Sequence, residues 1–167
     1  VARAAKLALV RAAMRERGAQ WHFISTLDDV AWLTNLRGAD VNFNPVFVAH
    51  VLVGLDEATL FVGAGKLPSE IVDALAADGV RAAAYDEAGA ALAALPAGDT
   101  LLIDPRRVTY GLREAVPASV NVIEAVNPST FAKSRKTPEQ ADRVRATMEQ
   151  DGAALAEFFA WFEGALG

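Results

Sequence analysis

Apolar residues recur along this chain with two different periods, and the switching between them outlines the fold. Over Ala2–Arg17, Leu7, Val10 and Met14 lie three and four apart on one helical face, and Gly18 stands where a left-handed residue closes such a helix. Trp21–Ser25 is a short apolar run that predicts a strand. Thr26 is placed to cap a second helix, with Asp28 and Asp29 at its positive end and Val30, Leu33 and Leu36 on its inner face. Leu36–Asn44 is polar and contains glycine, which predicts a loop. Val46–Val53 and Ala58–Val62 then read as a hairpin around a turn at Gly54–Glu57.

The second half alternates in the same way. Pro68 opens a helix to Ala77 that carries Ile71, Val72 and Leu75, and Gly79 stops it. Val80–Tyr85 predicts an alanine-rich strand, Asp86–Leu95 a helix closed by Pro96, and Thr100–Asp104 a buried strand. Tyr110–Val116 and Val120–Glu124 predict a short helix and a last strand. Thr137-Pro138-Glu139-Gln140 is the signature of a capping box, and Ala141, Val144, Met148, Leu155, Phe159, Phe162 and Leu166 hold one stripe across about seven turns. That stripe needs a surface to cover it. Strands alternating with helices, one hairpin included, predict an α/β domain with a mixed sheet of about six strands. Asn127–Lys136, with Pro128, Ser129, Thr130, Lys133, Arg135 and Lys136, is the one plausible boundary.

Composition narrows the function. The chain has 167 residues, a net charge of −5, no cysteine and two histidines. An acidic chain is a poor match for a nucleic-acid backbone, and the absent thiols remove cysteine nucleophiles, disulfides and thiolate metal sites. No apolar run is long enough to span a membrane. No signal peptide is visible, since Arg3, Lys6 and Arg11 interrupt any apolar stretch, which fits a cytoplasmic protein. The first residue, Val1, is not methionine, so a processed or excised chain is expected.

Candidate chemistry is sparse. His22 and His50 are 28 residues apart, and no metal-ligand spacing accompanies either; a structural role is expected for His50. Asp28 and Asp29 point about 100° apart on a helix and read as capping residues and not as a convergent pair. Asp104-Pro105-Arg106-Arg107 follows a strand and could hold an anion, but reads better as a solvated turn. Gly63-Ala64-Gly65-Lys66 lacks the phosphate-loop spacing, and Leu67 stands where the hydroxyl residue would be. No Gly-x-Ser-x-Gly elbow occurs, and Trp21–Ser25 carries no acidic residue of the kind a magnesium nuclease needs on its first strand. Trp21, Trp32 and Trp161 read as core or interface anchors. The loop Thr34–Pro45 is the best local candidate: it gathers Arg37, Asp40, Asn42 and Asn44, either as a binding surface or as an internal Arg37–Asp40 pair with asparagines tying the turn.

Those same residues carry a resemblance. Leu27-Asp28-Asp29-Val30-Ala31-Trp32-Leu33, Asn35-Leu36-Arg37-Gly38, Asp40 and Asn44-Pro45-Val46-Phe47 closely resemble the middle domain of three-domain Xaa-Pro aminopeptidases. Val126-Asn127-Pro128, Lys133-Ser134-Arg135-Lys136-Thr137-Pro138-Glu139, Asp151-Gly152, Phe159-Ala160-Trp161 and Glu163 resemble the segment leading into that family's catalytic domain. The resemblance implies a creatinase/prolidase N-terminal fold, a three-layer α/β/α domain with a ribonuclease-H-like sheet, over residues 1–136. Residues 137–167 would form a long helix leading toward a catalytic domain absent from the chain.

It implies a parent enzyme that releases an N-terminal residue preceding proline and uses two divalent metals, often manganese in this family, on residues outside this chain. The chain alone would be inactive and would carry no cofactor or metal of its own. Its partners would be its own catalytic domain, a second protomer and a peptide with proline in second place, with no nucleic acid and no membrane. The loop from Asn35 to Pro45, with Arg37, Asp40, Asn42 and Asn44, would face the active-site cleft and limit substrate size. Two alternatives stay open: a free-standing noncatalytic interaction or dimerisation module, and the N-terminal domain of a creatinase- or prolidase-type hydrolase.

Overall fold

The computed structural model describes residues 1–166, which divide into two compact units, 1–133 and 134–166. The first unit is built on a six-stranded sheet. In chain order its elements are α1 (Arg3–Glu16), β1 (Trp21–Ile24), α2 (Leu27–Thr34), β2 (Ala49–Gly54), β3 (Ala58–Val62), α3 (Ser69–Ala77), β4 (Val80–Ala84), α4 (Ala88–Ala93), β5 (Thr100–Ile103), α5 (Tyr110–Glu114) and β6 (Asn121–Glu124). They are followed by α6 (Pro128–Ser134) and, in the second unit, α7 (Pro138–Ala165).

The strand order is β4-β3-β2-β1-β5-β6. β1, β2 and β3 form an antiparallel meander, and β4, β5 and β6 join as parallel strands. This is the mixed α/β sheet that the alternating pattern predicts. β2 is buried along its whole length, because its residues feed helical layers on both faces of the sheet. On one face Ile24, Val51, Val53, Leu60 and Leu102 pack with Leu7, Val10 and Met14 of α1, Val30 and Leu33 of α2, and Leu75 of α3. On the other, Phe23, Leu52, Phe61, Leu101 and Ile103 meet Leu92 of α4 and Val116 beyond α5. Each large side chain so buried contributes about 1.5–3 kcal/mol.

Polar ties fix α1 over the first face. The Arg3 guanidinium donates to the Thr34 carbonyl at 2.8 Å and pairs with Asp78 at 2.6 Å. The Lys6 ammonium donates to the Trp32 carbonyl at 2.6 Å and sits 4.7 Å from that residue's ring centroid.

Three local expectations are corrected. The second strand begins at Ala49 and not at Val46, because Val46 and Phe47 are the return leg of the preceding loop. The helix expected over Asp86–Leu95 is a 3-10 turn, Tyr85–Glu87, followed by α4. Thr26 occupies the N-cap of α2 but makes no capping bond; its hydroxyl accepts from the Asn127 amide at 3.3 Å. The stretch read as a boundary, Asn127–Lys136, also contains α6, with Asn127, Pro128 and Ser129 buried.

The second unit is dominated by α7. Its capping box forms as expected: Gln140 N–H donates to the Thr137 hydroxyl at 3.2 Å, and Thr137 N–H to the Gln140 side chain at 3.0 Å. Its ion pairs Glu139–Arg143 and Asp142–Arg145 are solvent-exposed and add little. Val144, Met148, Leu155, Phe159 and Phe162 are all exposed, as is Trp161, expected to be an anchor.

Candidate functional site

The loop between α2 and β2 is held in one shape by bonds at every turn of its path. α2 ends where Asn35 enters the left-handed region at φ 59°, and the Asn35 side-chain oxygen accepts from the Lys6 ammonium. Arg37 Nη1 donates to two carbonyls, Ala31 at 2.9 Å and Leu36 at 2.8 Å. Gly38 lies flat on Phe47, and an added Cβ would come within 2.6 Å of the Phe47 Cβ. Asp40 N–H donates to the Val46 carbonyl at 3.2 Å, and the Asp40 carboxylate accepts from Val48 N–H at 2.7 Å and from the Lys66 ammonium. The Lys66 hydrogen bond, followed by that from Val48, holds the Asp40 carboxyl below the usual range. Past Asp40 the chain makes a tight turn, Asn44 N–H donating to the Val41 carbonyl at 3.2 Å. At its tip Phe43 has φ 61° and is fully exposed.

The loop walls an open cleft of about 500 Å³ whose far side is Lys66, Leu67, Pro68 and Ile71. Of the four candidates, Arg37 and Asp40 line this cleft, whereas Asn42 and Asn44 stand outside it on the exposed turn. Arg37 and Asp40 do not pair with each other; Arg37 braces the backbone, and Lys66 is the cation on Asp40. Lys66 was not foreseeable from local spacing, since it lies 26 residues from Asp40. Phe43 had one weak signal, a single aromatic side chain set between asparagines ahead of a proline.

Replacing Gly38 with alanine is expected to destabilise the first unit by about 1–3 kcal/mol, because the new methyl group meets rigid backbone and a buried ring root. A urea-unfolding midpoint no lower than that of the parent chain would contradict this.

A second polar cluster lies where α6 meets the start of α2. Asp29 is buried, and its carboxylate accepts from the Thr130 hydroxyl at 2.6 Å and the Asn127 amide at 3.2 Å, with the Lys133 ammonium at 2.9 Å. Lys133 also bridges to Asp28. Burial pushes the Asp28 carboxyl up, but the bond from Lys133 outweighs it and holds the group below its usual range. The expectation that Asp28 and Asp29 do not converge is thus corrected: the long Lys133 side chain reaches from α6 to both carboxylates with one ammonium, and the two residues fasten α6 to α2.

The histidines are internal. His22 is buried, its Nδ1–H donates to the Leu102 carbonyl at 2.9 Å, and burial pulls its pKa down to about 4. His50 is held by ring contacts, 4.7 Å from Tyr85 and 5.4 Å from Phe23 between centroids. Asp104 closes a turn by accepting from Arg106 N–H at 3.1 Å, in keeping with the turn reading of that motif. Among the described residues, no group of three or more His, Cys, Asp or Glu side chains gathers to hold a metal. The donor set therefore does not fit the two-metal centre implied for the parent enzyme. No helix among the described residues is long and apolar enough to cross a membrane.

Comparison with known proteins places this architecture. The Xaa-Pro aminopeptidase 1 of Dictyostelium discoideum is 34% identical over 95% of this chain and 25% of its own length. The "Probable Xaa-Pro aminopeptidase P" of Sclerotinia sclerotiorum is 33% identical over 95% of this chain and 28% of its own. The chain thus spans about a quarter of the length of the curated relatives it matches. Among solved structures, the X-prolyl aminopeptidase of Caenorhabditis elegans, described as a cytosolic enzyme with a di-nuclear active site, superposes with a TM-score of 0.84. That match covers 98% of this chain and 27% of the other at 22% identity, and so speaks to the fold. The N-terminal domain of the peptidase PepQ of Mycobacterium tuberculosis shares the fold more loosely, with a TM-score of 0.52 over 76% of this chain and 97% of that one, at 20% identity. The family model of the creatinase/prolidase N-terminal domain matches residues 1–140, and the chain belongs to that family.

Proposed function

We propose that this chain is the noncatalytic middle domain of a metal-dependent Xaa-Pro aminopeptidase, an enzyme that removes an N-terminal residue preceding proline. The observation that carries the reading is the joint one of extent and content. The chain aligns almost end to end with relatives named for this activity, yet spans about a quarter of them, and no metal-ligand cluster gathers among its described residues. Residues 1–136 act as the scaffold domain, and 137–167 lead toward a catalytic domain that carries the two divalent ions, manganese being the expected one. Those ions would supply an activated water, and no described residues of this chain gather to hold them. The working assembly is a cytoplasmic dimer, and its substrate is a peptide with proline in second place.

In this reading the Asn35–Pro45 loop faces the catalytic cleft and limits peptide length, through Arg37 and Asp40 at its base and Asn42 and Asn44 at its tip. Its bracing supports the role, because a loop tied at Arg37, Gly38 and Asp40 can act as a fixed wall. The test uses the full-length protein that contains this domain. Chelator-sensitive release of the first residue from Xaa-Pro peptides is expected, and Arg37→Ala should change KM as a function of peptide length with little change in kcat on the shortest substrate. No release from such peptides refutes the enzyme assignment; identical kinetics for variant and parent across lengths refute the role of the loop.

A further inference from the structure

The cleft beside this loop combines two properties that together specify a ligand. Much of its lining is apolar, with Leu36 and Phe47 on the loop side and Leu67 and Ile71 opposite. Its rim is cationic, although the chain as a whole carries −5. Arg37 and Lys66 line it against one carboxylate, Asp40, which is already satisfied by Val48 N–H and by Lys66 itself. Arg37 donates to the Ala31 and Leu36 carbonyls through Nη1, which leaves the other N–H groups of its guanidinium fork for a ligand, and the Lys66 ammonium has three hydrogens of which Asp40 takes one. Behind the rim, Lys6 is bonded to Asn35, another lining residue, and feels the Arg37 charge. The volume, about 500 Å³, suits one or two residues of a peptide.

We infer that this cleft is a binding site for the C-terminal end of a short peptide: the last side chain, apolar, on the Leu36–Phe47–Leu67–Ile71 lining, and the terminal carboxylate between Arg37 and Lys66. The inference deepens the proposed role of the loop and rests on it, since it names what the loop measures in a substrate. A neutral apolar ligand would leave the remaining donors of Arg37 and Lys66 unused, and a bare anion would leave the apolar lining uncovered. An ammonium close to the carboxylate would be repelled by the same cations, so a peptide end fits better than a free amino acid.

The test is a titration of the chain followed by amide NMR shifts, with N-acetyl-leucine as the probe, N-acetyl-leucinamide as its uncharged twin and free leucine as the amino-acid control. N-acetyl-leucine is expected to bind in the millimolar range of a small fragment and to move the amides of Gly38, Lys66, Leu67 and Ile71. The amide and free leucine should bind about tenfold more weakly, for want of one charge-assisted contact or because of like-charge repulsion. Lys66→Met should narrow the difference between acid and amide, with Arg37 still in place, and Lys66→Arg should restore it; an unchanged difference in Lys66→Met would overturn the inference, and the same spectra show whether each variant is folded. Equal binding of acid and amide, preference for free leucine, shifts elsewhere on the chain, or no saturation at millimolar probe would each overturn the inference. Such a result would leave Xaa-Pro cleavage by the full-length protein intact, whereas loss of that activity would leave the ligand preference of the cleft standing.

Discussion

Replacing Asp29 with alanine is expected to lower the stability of the first unit by about 3–5 kcal/mol, the cost of breaking a buried ion pair from one side. The carboxylate is fully buried and serves three donors at once: Thr130, Asn127 and Lys133. Its removal leaves the Asn127 amide facing an apolar methyl group and leaves Lys133 with Asp28 as its remaining carboxylate among these contacts. Against the roughly 5–15 kcal/mol that holds a typical domain together, this is a large fraction. Urea unfolding should show a lower midpoint with an unchanged slope, and amide exchange should accelerate first across α6. Lys133→Met, which leaves two carboxylates without that ammonium, should destabilise too, and the double variant should lose less than the sum of the single ones because the residues share one network. An Asp29→Ala chain as stable as the parent would show that the cluster carries no net energy.

The second large effect is one of pH. His22 is neutral in the folded chain with a pKa near 4, against about 6.5 when exposed. Between those values the unfolded chain binds a proton that the folded chain refuses, so stability must fall as the solution is acidified. The contribution is complete above pH 6.5 and is lost progressively toward pH 4, amounting to about 3 kcal/mol over the interval. His50, also pulled down by burial, acts in the same sense. Asp28 and Asp40 have carboxyls held below their usual range, so their own losses come at lower pH and leave this window to the histidines. Urea midpoints measured from pH 7.5 down to 4.5 should trace the decline. His22→Asn retains an N–H to offer the Leu102 carbonyl without the titration, and should flatten most of the curve. A parent chain with a level profile over this range would contradict the assignment.

What could be read from residues alone divides along a physical line. The fold was legible because β2 and β3 are largely apolar runs, broken by His50 and Thr59, around a Gly-containing turn, and because α1 and α7 keep their apolar residues in register for several turns. The N-terminus of α7 was legible because a capping box is local, complete within four residues. Thr26 failed by the same measure: its position is that of a cap, but its hydroxyl is taken by Asn127, 101 residues away. α6 was hidden because its stability comes from a distant carboxylate and not from its own periodicity. The candidate loop was found by its density of polar side chains, but its inner wiring was not, since the pairing of Asp40 with Lys66 depends on how α3 is brought beside the loop.

The central position of β1 has a consequence for biosynthesis. This four-residue strand pairs with β2 on one side and with β5 on the other, Phe23 lying opposite Leu52 and Ile103. As the polypeptide leaves the ribosome, the β1–β2–β3 meander can zip up early, but the other edge of β1 stays open until Thr100–Ile103 has emerged. For that interval the backbone edge of β1 beside Phe23 and Ile24 is paired only with water, so the half-translated state is expected to be the one most open to mispairing and to capture by chaperones.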